Sequence, residues 1–252
     1  RNGHLSVCQY LIQQQQSTTP SSSSSSSSVS PLLEATTQDG TTAFGWASWQ
    51  RHLDVMKYLQ QMGCDIHKVN SFGCNAVLWC SQGGGSSNSC NDTDNDDHAG
   101  LQALQWLYSM GCDMTLVNHN GHGVLHKVAQ RGQRAVGEWF VGEFVLKKIV
   151  HDINDDGDVD DQTETILSLI GPDTEGYCPS DLAGMEGHQD FANWLATTEM
   201  QIVQQLRRVP KFVIPDGYSD LATTSSTSTN YHWEQYGGLR RMKSALVSTK
   251  VL

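Results

Sequence analysis

The sequence has too few basic residues to make nucleic acid or an anionic membrane its general partner. Lysine and arginine together number 16 against 27 aspartates and glutamates, which gives a formal net charge of -11. A polyanion would be repelled at long range by such a chain. We therefore expect no nucleic-acid or membrane partner, and expect any partner surface to be basic or neutral.

Long hydrophobic runs are also missing. No apolar segment approaches the roughly 20 residues of a membrane span, and the first residues lack the charged, apolar and small-residue series of a signal peptide. The first residue is Arg1 rather than Met, which suggests a fragment or a processed product. These features predict a soluble chain.

Paired cysteines are absent as well. The seven cysteines are odd in number and scattered, and none forms the C-x-x-C pair that zinc sites use. We expect free thiols in a reducing, intracellular compartment, with cytoplasm and nucleus left open.

The chain does contain an internal repeat. The phrase "MGCDIHKVN" that begins at Met62 returns as "MGCDMTLVN" at Met110. The interval from Gly40 to Gly73 is the shorter spacing of the repeat, and the interval from Gly73 to Gly121 is a longer one. The shorter spacing is therefore the bare period, and the longer spacing contains an insertion.

A period of about 33 residues with a glycine-led turn and two short helices resembles the ankyrin repeat. The best unit runs from Thr37 to Val69, "TQDGTTAFGWASWQRHLDVMKYLQQMGCDIHKV". Its Thr42–Ala47 segment stands where that family has T-P-L-H-x-A, and Gly63-Cys64-Asp65 where it has Gly-Ala-Asp. The resemblance implies an all-α helical solenoid with hairpin-like turns, in which neighbouring units stack to bury their apolar faces.

The repeats and their interruptions divide the chain into segments. We predict a partial first repeat at 1–12, a Gln/Ser-rich insertion at 13–36, repeats over 37–140 with a polar insertion at 83–98, a helical extension and acidic loop at 141–171, a last repeat with a capping helix at 172–208, and a mostly disordered tail at 209–252. The Gln/Ser-rich and polar insertions hold too few apolar residues to offset the entropy of ordering, so we expect them to be disordered.

The acidic segment "DINDDGDVDDQTE" is the one motif that suggests a cofactor. Its candidate calcium ligands are Asp152, Asn154, Asp156, Asp158 and Glu164, at spacings similar to those of an EF-hand loop. The final glutamate comes one position late, so a solvated acidic loop is the alternative interpretation. The sequence implies no other cofactor.

Nothing in the sequence supports catalysis. The three neighbouring histidines His119, His122 and His126 lack a thiol or carboxylate at metal-ligand spacing, and the resemblance makes His126 a structural hydrogen-bonding residue. The segment "GGGSSNS" has glycines but no following Lys-Ser/Thr pair and no preceding strand. We predict a protein that is not an enzyme.

The resemblance implies a concave recognition surface made of loop tips and first helices. Its predicted partner-binding residues are Trp49, Gln50, Phe72, His119, His122, Arg131 and Tyr177. Trp49 could instead fill a gap beneath the polar insertion. The tryptophans that recur in register, Trp46 and Trp79 among them, are predicted to lie in the core.

Together these features predict a monomeric, non-catalytic scaffold that binds a protein partner through the concave ankyrin surface. Two alternatives remain at this point: a calcium-responsive adaptor that uses the acidic loop, and the recognition arm of a larger enzyme.

Overall fold

The computed structural model describes residues 2–18, 31–83, 93–149 and 159–208. Over these residues the protein is all-α, as predicted, because helices are joined by turns and loops and the only β-type pairing is an isolated bridge between Thr36 and Thr42. None of the described helices is long and apolar enough to cross a membrane. The chain divides into two compact units, Arg1–Leu116 and Val117–Leu252, called the N-terminal and C-terminal units.

The N-terminal unit is built from short helices and longer ones that follow them. They are α1 (Leu5–Thr18), α2 (Ala43–Trp49), α3 (Leu53–Gln61), α4 (Ala76–Gln82) and α5 (Thr93–Ser109). The short helices α2 and α4 pack on each other and on the helices that follow them, α3 and α5, while α1 packs on α3. Fully buried side chains such as Phe44, Met56, Leu78 and Leu104 fill the space between the helices.

The C-terminal unit repeats this arrangement. Its helices are α6 (Val124–Arg131), α7 (Arg134–Trp139), α8 (Val159–Ile170), α9 (Pro179–Met185) and α10 (Gln189–Arg207), with α7 continuing into a π-helical segment, Phe140–Val145. The helix α6 packs on α7, α8 and α9, and α9 packs on α10. Leu125, Phe140, Ile166 and Leu195 are fully buried in this core.

Four loops of the same construction precede α2, α4, α6 and α9. In each, the backbone N–H of the first residue donates to the carbonyl of the fifth: Thr37 to Thr41 at 3.0 Å, Asn70 to Cys74 at 3.1 Å, Asn118 to His122 at 3.1 Å and Asp173 to Tyr177 at 2.9 Å. The fourth residue is always a glycine with positive φ, at Gly40, Gly73, Gly121 and Gly176. We call the segments 37–41, 70–74, 118–122 and 173–177 the repeat loops.

Consecutive repeat loops are joined in the same way in both units. The N–H of Ser71 donates to the carbonyl of Asp39 at 2.9 Å, and the N–H of Thr174 donates to the carbonyl of Asn120 at 2.9 Å. These donors and acceptors occupy equivalent loop positions. The loop contact is therefore the same in both units, although the two loops of the C-terminal unit are separated by a longer stretch of chain.

The segment boundaries predicted from composition are wrong in three places. The run from Gln13 to Thr18 continues α1 instead of forming a loop. Residues 31–36 are also ordered: Leu33 is buried, and Glu34 pairs with Lys68 at 2.6 Å. The helix α5 begins at Thr93, inside the predicted polar insertion.

The two helices predicted at the end of the last repeat form a single helix. The second helix of the last repeat and the predicted capping helix form one continuous helix, α10. The predicted disorder of 19–30, 84–92 and the 209–252 tail lies outside the described residues.

Candidate functional site

Three tryptophans come together where α2 packs on α4. Trp46 and Trp49 are one helical turn apart on α2, so they share a face of that helix. Both helices start at a side-chain cap: the Thr42 hydroxyl accepts from the N–H of Gly45 at 3.1 Å, and the Asn75 side-chain oxygen accepts from the N–H of Leu78 at 3.0 Å. These caps fix the first turns of the helices that carry the tryptophans.

The three indole rings pack as one group, which we call the tryptophan cluster. The ring centroids of Trp46 and Trp49 are 5.4 Å apart at an interplanar angle of 72°. Trp79 stacks on Trp46 at 6.5 Å and 20°, and meets Trp49 at 6.4 Å and 71°. Offset-stacked and edge-to-face rings at such distances stabilise each other. All three side chains are half-buried, so the cluster keeps aromatic surface in contact with solvent.

Phe72 lies at the tip of the second repeat loop, and the residue is 56% exposed. Its backbone is nevertheless fixed, because the N–H of Phe72 donates to the Asn70 side-chain oxygen at 3.1 Å. The same oxygen accepts from the N–H of Cys74 at 3.0 Å. A large apolar side chain is thus held in solvent on a rigid turn, which lowers the entropy cost of burying it against a partner.

Arg51 joins α2–α3 to the end of α4 in this unit. It has a φ of 59°, which is unusual for a residue with a side chain, and it is buried. Its Nε donates to the carbonyl of Cys80 at 3.2 Å, near the C-terminus of α4. A side chain at Gly83 or Gly100 would lie within 3 Å of the guanidinium. These two glycines leave the space that Arg51 occupies.

The predicted binding residues differ in accessibility. In the N-terminal unit, Phe72 is exposed, while Trp49 and Gln50 are half-buried at the end of α2. In the C-terminal unit, His119 and Arg131 are exposed and Tyr177 is half-buried. Trp49 packs on two other indoles.

The prediction that His122 belongs to the exposed surface is wrong. His122 is buried, and its Nε2 lies 2.9 Å from Asp173 Oδ2 in the next repeat loop. Burial acts to raise the pKa of Asp173, but the hydrogen bonds from His122 and from the N–H groups of Tyr177 and Glu175 outweigh it and lower that pKa to about 2. The pair therefore links two loops and offers no binding surface.

His126 has the structural role that the resemblance implies. It is fully buried, its Nδ1 accepts from the N–H of Gly123 at 3.3 Å, and its Nε2 lies 2.9 Å from the carbonyl of Gly171. This geometry fits the neutral imidazole protonated on Nε2. Burial lowers the pKa of His126 to about 3, and the adjacent His122 ring acts in the same direction.

A second buried polar contact joins α9 to α10. The Glu199 carboxyl accepts from the backbone N–H of Ser180 at 2.9 Å and hydrogen-bonds the Ser180 hydroxyl at 2.7 Å. Burial, and to a smaller extent the charge of Asp181, raise the pKa of Glu199 to about 8 against the opposing effect of the bonds from Ser180. The carboxyl is therefore mainly protonated at neutral pH.

The thiols are poorly suited to nucleophilic chemistry. The side chains of the described cysteines are all thiols: Cys8, Cys64, Cys74, Cys80, Cys112 and Cys178. Burial raises the pKa of Cys64 to about 12 and that of Cys112 to about 11, and it raises the pKa of Cys178 well above its usual value. Because the thiolate is the reactive form, none of these three residues is an activated nucleophile at neutral pH.

The predicted calcium loop is largely outside the described residues. This applies to Asp152, Asn154, Asp156 and Asp158, whereas Glu164 is exposed on α8. Within the part of the chain that the structure describes, no three His, Cys, Asp or Glu side chains are grouped to hold a metal ion. Calcium binding stays a prediction.

Sequence reasoning missed two members of the tryptophan cluster. Trp46 and Trp79 are separated by one period of the repeat, and their register predicts core positions, yet both are half-buried. The available signal was the position of Trp49 one helical turn after Trp46, which places both rings on one helix face.

No protein-family model matches this chain, and no curated protein sequence matches it.

Proposed function

We propose that this chain is a non-catalytic binding module of the ankyrin-repeat type, which holds a protein partner against the tryptophan cluster and the Phe72 loop tip of its N-terminal unit. Its strong negative charge favours a partner with a basic or neutral surface.

The four repeat loops support the ankyrin-type assignment. They share one backbone hydrogen bond and one left-handed glycine, and each leads into a short helix followed by a second helix. The spacing of the first two loops equals the period of that family. Stacked units of this kind present loop tips and first helices to one partner without having to fold on binding.

The half-buried tryptophan cluster is the observation that carries the binding proposal. Tryptophan is among the residues that contribute most to protein interfaces when a partner excludes water from them. Here three indoles support one another on two capped helices, so their orientation is set before binding. A partner that covers the cluster gains apolar burial and loses little side-chain entropy.

The buried polar groups support a non-catalytic role. His126 is enclosed as a neutral imidazole, and His122 is engaged with Asp173 between two loops. The contact between Ser180 and Glu199 is buried, with both residues about 5% exposed. A catalytic nucleophile or base has to reach its substrate, and these side chains are used to join helices and loops.

Site-specific photo-cross-linking tests whether this surface binds a protein. A benzophenone amino acid replaces Phe72 in one variant and Tyr108 in the other, because Tyr108 is an exposed aromatic residue on the second helix α5. We expect position 72 to capture a discrete protein from native extract and position 108 to capture none. Equal capture at both positions would contradict the proposal, as would substrate turnover by the purified chain.

Affinity measurement then tests the contribution of the surface. Burying the exposed half of a phenylalanine stabilises a complex by about 1 to 2 kcal/mol, so Phe72→Ala should weaken binding of the captured protein about 5- to 30-fold. Tyr108→Ala is the matched control and should leave the affinity unchanged. Titration calorimetry gives both values, and an unchanged affinity for Phe72→Ala would refute the assignment.

A further inference from the structure

A cleft opens between the first two repeat loops of the N-terminal unit, beside the tryptophan cluster. It contains about 250 Å³ of space that no protein atom fills, part of it open to solvent. The first loop contributes Thr41 to its lining and the second contributes Asn70, and Gly45 of α2 and Trp79 of α4 line it as well. We call this space the Gly45 cleft.

The C-terminal unit shows what fills the equivalent place there. Gly45 is the third residue of α2 and His126 is the third residue of α6, and each stands at the same distance from its repeat loop. His126 is fully buried, and its Nε2 lies 2.9 Å from the carbonyl oxygen of Gly171. Gly171 comes two residues before the fourth repeat loop, and Lys68, which comes two residues before the second, lines the Gly45 cleft. Glycine at position 45 therefore leaves open in one unit the place that an imidazole takes in the other.

The lining of the Gly45 cleft carries a carboxylate. Asp65 lines the cleft, and one oxygen of its carboxylate accepts from the N–H of His67 at 2.9 Å, so a turn holds the charge in place. Lys68 also lines the cleft, but its ammonium pairs with Glu34 at 2.6 Å. The charge of Asp65 is therefore not neutralised by that lysine.

A second carboxylate lies directly behind the lining. Asp39 accepts from the Thr41 hydroxyl at 2.6 Å and from the side-chain amide of Asn70 at 3.4 Å, and both of these residues line the cleft. Hydrogen bonds from the hydroxyls of Thr37 and Thr41 lower the pKa of Asp39, so its carboxyl is ionised at neutral pH. A positive charge in the cleft is stabilised by these carboxylates.

We propose that the Gly45 cleft takes the guanidinium of an arginine side chain from the bound partner. The imidazole of His126 in the equivalent place is flat and donates an N–H, and the carboxylates around the cleft favour a guest that is also positively charged. Guanidinium meets all three conditions, and it packs well against an indole ring such as that of Trp79. This inference rests on the proposed function, because the partner that covers the tryptophan cluster supplies the arginine.

Amino-acid derivatives test the cleft without the partner. Nα-acetyl-arginine methylamide is titrated into the isotope-labelled chain, with the citrulline derivative as the neutral control of the same shape and the lysine derivative as a cation that is not flat. We expect the amide signal of Gly45 and the indole signal of Trp79 to shift with saturation at a dissociation constant of about 1 to 10 mM. Citrulline should bind at least about tenfold more weakly, because it lacks the charge.

Three results of this titration would overturn the proposal. One is the absence of a saturable shift with the arginine derivative. The second is equal binding of arginine and citrulline, since the charge would then contribute nothing. The third is binding of lysine as tight as that of arginine, since the flat shape would then not matter.

Matched variants show whether the signals report on the cleft. Asp65→Asn keeps the oxygen that accepts from His67 and removes the charge, so it should weaken arginine binding at least about fivefold. Asp113 is the control, because it forms the same turn in the next repeat by accepting from the N–H of Thr115 at 2.7 Å, is exposed and does not line the cleft. Gly45→His should abolish binding by filling the cleft, and if that variant does not fold, Asp65→Asn decides. Equal effects of Asp65→Asn and Asp113→Asn would overturn the proposal.

Failure of this inference and failure of the proposed function give different results. Saturable arginine binding without capture of a protein at position 72 would refute the proposed function and leave the arginine site standing. Capture of a protein at position 72 without arginine binding would overturn the arginine site and leave the proposed function standing. Where both are observed, Asp65→Asn should weaken the affinity for the captured protein, while Asp113→Asn should leave it unchanged.

Discussion

Glu199→Gln is the substitution that tests the buried contact between α9 and α10 most directly. Glutamine keeps an oxygen that can accept from the N–H of Ser180, and its amide can donate to the Ser180 hydroxyl. It therefore resembles the protonated carboxyl and cannot ionise. The variant should fold like the parent and should differ from it only where Glu199 would lose its proton.

The size of the effect follows from the shifted pKa. The pKa of Glu199 rises from an ordinary value of 4.5 to about 8 in the folded state. Because the folded carboxyl holds its proton more tightly than the unfolded one, its contribution is fully present below pH 4.5 and is lost as the pH rises through about 8. Each pH unit in that window costs about 1.4 kcal/mol of unfolding free energy.

The ionisation of His126 changes the unfolding free energy in the opposite direction, over a lower pH range. Its pKa falls from 6.5 to about 3 on folding, so it stabilises the folded state above pH 6.5 and that contribution is lost as the pH falls. Between pH 4.5 and 6.5 the changes in unfolding free energy caused by Glu199 and His126 nearly cancel. Between pH 6.5 and 8 Glu199 dominates, and we expect the parent to lose roughly 1 to 2 kcal/mol.

Urea unfolding across this pH range measures the loss. Circular dichroism gives the unfolding free energy at each pH, and peptide-level hydrogen exchange assigns the transition to α9 and α10. The parent should lose stability from pH 6.5 to 8, while Glu199→Gln should stay level. Parallel curves for the two chains would refute the reasoning, and so would a variant already destabilised near pH 5, where the parent's carboxyl is protonated.

Substitutions at three other positions give predictions in the same urea assay. Gly121→Ala should lower the unfolding free energy by about 1 to 3 kcal/mol more than Gly40→Ala does. Both glycines have positive φ, but a Cβ at position 121 would lie 2.8 Å from the backbone of the next loop, whereas a Cβ at position 40 would lie 3.6 Å from the backbone of its own next loop. Equal losses in the two variants would contradict the close loop contact at Gly121. Arg51→Ala should destabilise the N-terminal unit by about 1.5 to 3 kcal/mol through loss of its bond to the Cys80 carbonyl. Arg51→Gly should recover about 1 kcal/mol of that loss, since glycine adopts the left-handed backbone without strain, and an equal loss in both variants would show that this strain is negligible.

The sequence predicted the helical class and the recurring turns because both depend on local signals. A glycine that must adopt positive φ recurs at Gly40, Gly73 and Gly121, and the structure forms the same loop around each. Val55, Met56 and Leu59 fall at helical spacing in the sequence, and their side chains form the buried side of α3. Local geometry and periodicity are the features that one sequence can reveal.

Composition was a poor guide at the edges of the insertions. Its low apolar content predicts a disordered loop for the glutamine run after Ile12, although glutamine is a good helix former in its own right. An existing helix needs no new nucleus, so α1 extends through those residues to Thr18. Low apolar content predicts weak packing, but it does not predict where a helix ends.

The location of His122 could not be predicted without the partner loop. A loop residue is expected on the exposed surface, yet the position of His122 in its loop matches that of Thr41, which is also buried. In the N-terminal unit, Asn70 Nδ2 donates to the Thr41 hydroxyl at 3.0 Å. In the C-terminal unit, the equivalent side-chain contact is the one between His122 and Asp173. The side chains that form the contact differ between the units, but they stand at the same two loop positions. The position of His122 in its loop therefore predicts its burial better than its residue type does.

The equivalence of these contacts explains how the chain accommodates the helical extension and acidic loop at 141–171, the insertion of the C-terminal unit. The loops at 37–41 and 70–74 are separated by one bare period, whereas those at 118–122 and 173–177 are separated by that period and the insertion, which together are less than twice as long. Bringing the two loops together from the unfolded chain, across less than twice the number of residues, costs only about half a kcal/mol more in closure entropy. The backbone bond from Thr174 to Asn120 and the contact between His122 and Asp173 each contribute about 1 kcal/mol or more. The free energy of these loop contacts therefore exceeds the entropy cost of the added chain length. The sequence loses its regular period, but the loop contact is kept.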